Sequence, residues 1–181
     1  MKTLNIPFFS QLDSSVPVEH QRHVCALACI KMIFDLHNKG ISFETLYQEA
    51  IIVGDKVQAG WTHETIIRIL RNHGILAYRQ EFLGHTINFE TNKGEVANHT
   101  KEFVEKGIEK IKKSIDTGYP VFVSVKANFS DNKEDHMILI VGYTQDSFVI
   151  HDPILLNDKN PVNCSIETFK TFWKNFAIFI E

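Results

Sequence analysis

The stretch that decides the fold is His136-Met137-Ile138-Leu139-Ile140-Val141-Gly142-Tyr143, followed after only Thr144-Gln145-Asp146 by Ser147-Phe148-Val149-Ile150-His151-Asp152. Both runs are of strand length and rich in β-branched residues, and so short a connection implies antiparallel neighbours. Upstream, Pro120 to Lys126 reads as a third strand, set off by Gly118-Tyr119-Pro120. The second half of the chain is therefore expected to hold an antiparallel sheet.

Working back toward the N-terminus, the apolar residues take up a spacing close to helical. Leu27, Ile30, Ile33 or Phe34, and Leu36 trace a helical face between Val24 and His37, with Gly40 as the stop. Ser42 can cap a second helix through about Ala50, and Thr62 a third that ends at Asn72-His73-Gly74. Ile75 to Phe82 reads as a strand. Gly84 to Asn98 is polar and irregular enough for a long loop. Phe103, Val104, Ile108, Ile111 and Ile115 mark one face of a fourth helix; Ser165 can cap a last one to about Trp173, and Ala177 to Ile180 reads as a final edge strand. Helices first and a sheet second predict an α+β fold over residues 1–181 as a single domain, the N-terminal helical part packed on an antiparallel β-sheet.

Composition narrows the function. At 181 residues with 44% hydrophobic content, the chain can bury a sizeable core. The balance of 19 basic against 22 acidic residues, net −3, offers no broad attraction for nucleic acid or an anionic membrane. The apolar residues of Met1 to Phe9 are interrupted by Thr3, Asn5 and Pro7, so no secretory signal is expected, and no run approaches a membrane span. Three cysteines cannot all pair within one chain, which fits a reducing, cytoplasmic setting.

The chemistry-bearing residues fall in the order Cys, His, Asp. Cys25 stands at a loop-to-helix junction after His20-Gln21-Arg22-His23, where unpaired N–H groups and the helix dipole favour a thiolate. Cys29, one turn deeper, reads as core, and nothing marks Cys164 as reactive. Among nine histidines, His136 begins a strand, a rigid place from which to hold an imidazole toward a helix terminus. His37, His63 and His73 read as solvated, His85 and His99 as exposed, and His20 and His23 as loop residues. Asp152 closes the next strand, which brings it to the same end of the hairpin as His136, roughly in register; Asp135 is a rival by adjacency. A thiol, its base and an orienting carboxylate are the parts of an acyl-transfer site. Such a site also needs a second oxyanion donor beside the nucleophile's own N–H. Gln11 and Gln21 are both available, and spacing does not choose between them. Neither a Cys-x-x-Cys nor a His-x3-His pair occurs, so no metal or other cofactor is expected.

Taken together, Pro7-Phe-Phe-Ser-Gln11, Cys25-Ala-Leu-Ala-Cys-Ile-Lys-Met-Ile33, Gly118-Tyr-Pro-Val-Phe-Val-Ser-Val125, His136-Met-Ile-Leu-Ile-Val-Gly-Tyr143 and Phe148-Val-Ile-His-Asp-Pro153 resemble the C39-like branch of papain-like cysteine peptidases. The resemblance runs from about Ile6 to Pro153. It implies a papain-like cysteine peptidase fold, Cys25 as nucleophile, His136 as general base and acid, Asp152 as orienting residue, and Gln11 as the oxyanion-hole glutamine. The departure is Ala26, where the family usually has glycine, and whose methyl could narrow substrate approach. Relatives include processing domains of bacteriocin exporters, and this chain shows no transmembrane or nucleotide-binding segment of that kind. The expectation is a cytoplasmic thiol hydrolase, a cysteine peptidase or amidase, acting on a peptide or amide substrate. The alternatives are a papain-like acyltransferase and a catalytically silent binding module of the same fold.

Overall fold

Three hydroxyls open helices where the sequence places them. Ser42 Oγ accepts from Thr45 N at 3.1 Å, Thr62 Oγ1 from Thr65 N at 3.2 Å and Ser165 Oγ from Thr168 N at 3.0 Å. Each occupies an N-terminal N–H that the helix itself leaves without a partner. The structure is a computed structural model that describes residues 2–54, 56–57, 60–88, 93–96, 99–131 and 134–181. In chain order it contains β1 (Lys2–Thr3), a 3₁₀ turn (Gln21–His23), α1 (Cys25–Leu36), α2 (Phe43–Val53), β2 (Lys56–Val57), β3 (Gly60–Trp61) and α3 (His63–Asn72). There follow β4 (Ala77–Glu81), β5 (His85–Asn88), β6 (Lys93–Val96), α4 (Thr100–Asp116), β7 (Val121–Lys126), β8 (Asp135–Tyr143), β9 (Ser147–His151), β10 (Val162–Ser165), α5 (Ile166–Phe172) and β11 (Trp173–Ile180).

Seven of the described strands form an antiparallel sheet in the order β10-β9-β8-β7-β11-β4, with β1 added to the far end of β8, while β2 pairs with β3 and β5 with β6. Alternate residues of β8 enter two different cores. Met137, Leu139 and Val141 pack with Leu27, Ile30, Ile66 and other residues of α1, α2 and α3. Ile138 and Ile140 pack with Ile108, Ile111 and Ile115 of α4 and Phe169 of α5. A strand buried on both faces needs apolar residues at every position, which is why this run shows no alternation. The N-terminal helices pack on the sheet as expected, and α4 and α5 add a layer on its other face.

Gly142 is the position that lets β1 dock. A Cβ there would sit 2.6 Å from the Lys2 carbonyl oxygen and 2.9 Å from Thr3 Cα, and the β8–β9 register shifts beside it, between Ile140 and Gly142.

Two expectations are corrected, and one strand is added that the sequence pattern does not announce. The final strand is not an edge: β11 begins at Trp173 and lies between β7 and β4, because Ile178 and Ile180 face one core while Ala177 and Phe179 face the other. β10 carries no strand pattern in Val162-Asn-Cys-Ser165; pairing with β9 makes it a strand at the sheet edge. The segment expected as a long loop between Gly84 and Asn98 contains the β5–β6 hairpin, with residues 89–92, 97 and 98 lying outside the described ones. No described helix is long and apolar enough to cross a membrane.

Candidate active site

The first turn of α1 presents Cys25. The Val24 carbonyl already accepts the first intrahelical bond from Ala28 N (2.9 Å), so Cys25 lies where the helix N–H groups are unpaired. No acidic residue occupies that turn, and no side chain caps it. The positive end of the dipole is therefore left to act on the thiol. Cys25 is only partly buried, whereas Cys29 and Cys164 are buried. One turn further in, Cys29 Sγ rests 3.7 Å from the Met137 carbonyl oxygen, which locks α1 against β8 beside His136.

His136 is buried at the start of β8, and its Nε2 is 2.6 Å from Asp152 Oδ1. With Nε2 engaged by the carboxylate, Nδ1 is the ring nitrogen left for the thiol. Burial pushes the Cys25 thiol up, but the hydrogen bond and charge of His136, with the backbone groups of Met137 and Ala26, outweigh it and hold the thiol below its ordinary value. Burial likewise opposes a charged His136; hydrogen bonds to Asp152 and Cys25 outweigh it, and the imidazole is raised to about 10. Both directions favour a thiolate–imidazolium pair. Cys29 moves the other way, well above its ordinary value, through burial and then the charges of Cys25 and Asp152. Burial raises Cys164 to about 11.

Asp152 follows the last β8–β9 ladder pair at that end, Leu139 with His151. One step on, Asp152 falls opposite Ile138 and diagonal to His136, a distance that longer side chains span. The turn is fixed from behind by Asn160, whose Oδ1 accepts from Asp152 N at 3.0 Å. Its Nδ2 donates to the carbonyls of Asp152 and Leu156 at 3.4 and 3.3 Å. Asp152 Oδ1 accepts a second bond from Ile154 N at 3.2 Å. The rival Asp135 is half-exposed and paired with Lys174 Nζ at 3.1 Å.

Gln11 is buried and pinned from two sides. Its N–H donates to the Pro153 carbonyl at 2.8 Å, next to Asp152, and its Nε2 donates to the Gln21 carbonyl at 2.7 Å, in the turn that leads into α1. Nε2 has a second hydrogen to give. The Gln21 amide turns away and donates to Val16 O at 3.1 Å. The two glutamines thus differ in what they tie together: Gln21 holds its own loop, and Gln11 joins the residue after Asp152 to the turn that leads into α1.

Beside Cys25 opens a cleft of about 220 Å³, bounded by Ala26, Trp61, His63, Ser124 and His136. A larger cavity of about 450 Å³, bordered by Tyr78, Lys110 and Tyr119, touches none of these groups. His63, expected to be solvated, lines the cleft instead and shares a 2.7 Å hydrogen bond with Ser124 Oγ. Only the packing of α3 against the sheet reveals it, because His63 looks like any helix-start residue in sequence. His73 is also not merely solvated: it pairs with Glu49 at 2.7 Å and packs on Phe34. His151, adjacent to Asp152, is buried edge-on to Phe8 at 5.3 Å and is lowered to about 4 by that burial. His20 stacks on Tyr47, His85 pairs with Glu81 at 3.0 Å and His99 packs on Phe103. Among the described residues, no group of three or more His, Cys, Asp or Glu could hold a metal ion.

Comparison with known proteins places the fold. The model of the Peptidase C39 like family matches residues 3–178. Among solved structures, a protein from Bacillus anthracis assigned as a C39-like peptidase superimposes with a TM-score of 0.65 at 16% identity, covering 100% of this chain and 98% of the other. A double-glycine motif protease of an AMS/PCAT transporter, solved with its leader peptide, gives 0.61 at 14% identity, covering 99% and 97%. The peptidase domain of Streptococcus ComA, a bifunctional ABC transporter of a quorum-sensing pathway, gives 0.61 at 16% identity, covering 99% and 96%. At such identities the likeness shows the fold, which is papain-like. No curated protein matches the sequence.

Proposed function

Because the chain belongs to the Peptidase C39 like family, we propose that it is a thiol hydrolase, a cysteine peptidase or amidase that works through an acyl-enzyme on Cys25. The observation that carries this reading is the buried 2.6 Å contact of His136 Nε2 with Asp152 Oδ1, beside a Cys25 thiol held below its ordinary value.

The Cys25 thiolate attacks the carbonyl carbon of a peptide or amide bond. The developing oxyanion takes hydrogen bonds from the Cys25 N–H and from the second Nε2 hydrogen of Gln11. His136, charged in the resting pair, gives its Nδ1 proton to the departing nitrogen as the C–N bond breaks, leaving a thioester and a neutral imidazole. Water then attacks the thioester while His136 takes its proton; the C–S bond breaks, the free acid leaves, and thiolate and imidazolium are restored. Asp152 stays ionised throughout and fixes the ring by its bond to Nε2. A peptide substrate is supported by the solved double-glycine motif protease, which holds a leader peptide.

The test is the pH dependence of Cys25 alkylation by iodoacetamide, read by mass spectrometry, in wild type and His136→Ala. A thiolate reactive well below pH 8 that disappears with His136 is the expected result. An ordinary thiol titration indifferent to His136 refutes the ion pair. In parallel, an electrophilic acyl probe is expected to label wild type and Cys29→Ala but not Cys25→Ala.

A further inference from the structure

The cleft beside Cys25 contains a second polar pair for which the acyl-enzyme chemistry above has no use. The cleft runs from Cys25 against the start of α3 and the strand β7. There Thr62 caps α3 and sets His63 as its first residue. The ring lies against Phe176, and its Nε2 is bonded to Ser124 Oγ at 2.7 Å. Ser124 is the one hydroxyl in Val121-Phe-Val-Ser-Val125, a strand buried along its length, so an apolar residue would satisfy packing there at least as well. Among the described residues His63 Nδ1 has no hydrogen-bond partner, and Ser124 Oγ keeps further bonding capacity.

The surroundings select against charge. Burial, followed by the Arg79 guanidinium, lowers His63 below its ordinary value against the opposing pull of Asp135, so the ring is neutral near pH 7. Arg79 lies over the Phe176 ring at 4.2 Å, and Asp135 is paired with Lys174. Asp135 also lines the cleft, its carboxylate held by Lys174, beside the neutral bonding groups of His63 and Ser124.

We infer that His63 and Ser124 form a specificity pair that hydrogen-bonds a short, uncharged polar side chain of the substrate's acyl half. The inference rests on the thiol-hydrolase reading of Cys25. The acyl chain remains on Cys25 after the amine departs, and the cavity continuous with the thiol is the space that holds it. An asparagine side chain fits the pair, because its amide offers a donor and an acceptor together, whereas leucine has nearly its shape and neither.

The experiment uses two acyloxymethyl ketone probes, acetyl-Asn-Gly and acetyl-Leu-Gly, whose Cys25 adducts are timed by intact-mass spectrometry in wild type, His63→Ala and Ser124→Ala. Losing a neutral hydrogen bond costs roughly 3- to 10-fold. The Asn probe is therefore expected to react several-fold faster than the Leu probe in wild type, and the ratio is expected to fall to near one in both variants. A variant that merely disturbs the fold slows both probes and leaves their ratio intact. Equal rates in wild type, or a ratio unchanged by both substitutions, overturn the inference while labelling at Cys25 upholds the thiol reading. If neither probe labels Cys25 the inference is overturned as well, and the iodoacetamide profile then decides whether the thiol reading falls with it.

Discussion

Replacing Asp152 separates the charge of the orienting carboxylate from its shape. In wild type its Oδ1 accepts from both His136 Nε2, at 2.6 Å, and Ile154 N, at 3.2 Å. Two donors converging on one oxygen mean that Asp152→Asn must present its carbonyl oxygen there, so both bonds survive in neutral form. Asp152→Ala leaves the buried Nε2–H without this acceptor. A hydrogen bond to a charged group contributes about 1.5–3 kcal/mol, and 1.36 kcal/mol corresponds to one pKa unit. Loss of the carboxylate is thus expected to lower the His136 pKa by about 1–2 units, since burial, which opposes the imidazolium, is then less well opposed. A less stable imidazolium is a weaker partner for the thiolate. The midpoint of Cys25 alkylation by iodoacetamide accordingly moves up by a similar amount in Asp152→Ala. In Asp152→Asn it moves by about half as much, because charge-assisted bonds are roughly twice as strong as neutral ones. The assay is the alkylation rate against pH from 4 to 10 at fixed ionic strength. Superimposed profiles for Asp152→Ala and wild type would refute the argument, because the carboxylate would then have no hold on the imidazolium.

Gln11→Ala is expected to slow acylation by an activated ester about 10²- to 10³-fold while leaving iodoacetamide alkylation unchanged, because alkylation develops no oxyanion. Equal slowing of both reactions would assign Gln11 to structure instead. Asn160→Ala strips Asp152 N of its acceptor and should cost about 1–3 kcal/mol in urea unfolding; it should also raise the alkylation midpoint, by less than Asp152→Ala does, and an unchanged midpoint would show that the turn holds Asp152 without it. Gly142→Ala forces a methyl group against the β1 backbone at Lys2 and Thr3 and should destabilise by about 1–3 kcal/mol. An unfolding midpoint equal to wild type would mean that β1 contributes nothing measurable.

What the sequence by itself determined is local. Ser42, Thr62 and Ser165 mark helix starts because a cap is chosen by residues within three positions, and all three hydroxyls make the expected bond. The hairpin of β8 and β9 was legible because Thr144-Gln145-Asp146 is too short for any other connection, and this hairpin carries His136 and Asp152 to one end. The placement of Cys25 at the first turn of α1 follows from the same short-range pattern. Only the tertiary structure decided the rest. A strand's place in a sheet depends on partners far away in sequence, so local pattern reveals neither the internal position of β11 nor the strand character of β10. The choice of Gln11 over Gln21 rests on resemblance; the contact of Gln11 with Pro153, far away in sequence, is one that only the folded chain makes. His63 meets Ser124, 61 residues away, because α3 and β7 share one core, and no spacing within either segment encodes that contact. Short-range chemistry thus fixed the helix starts and the β8–β9 hairpin; long-range packing fixed the remaining strands and which side chains share the cleft.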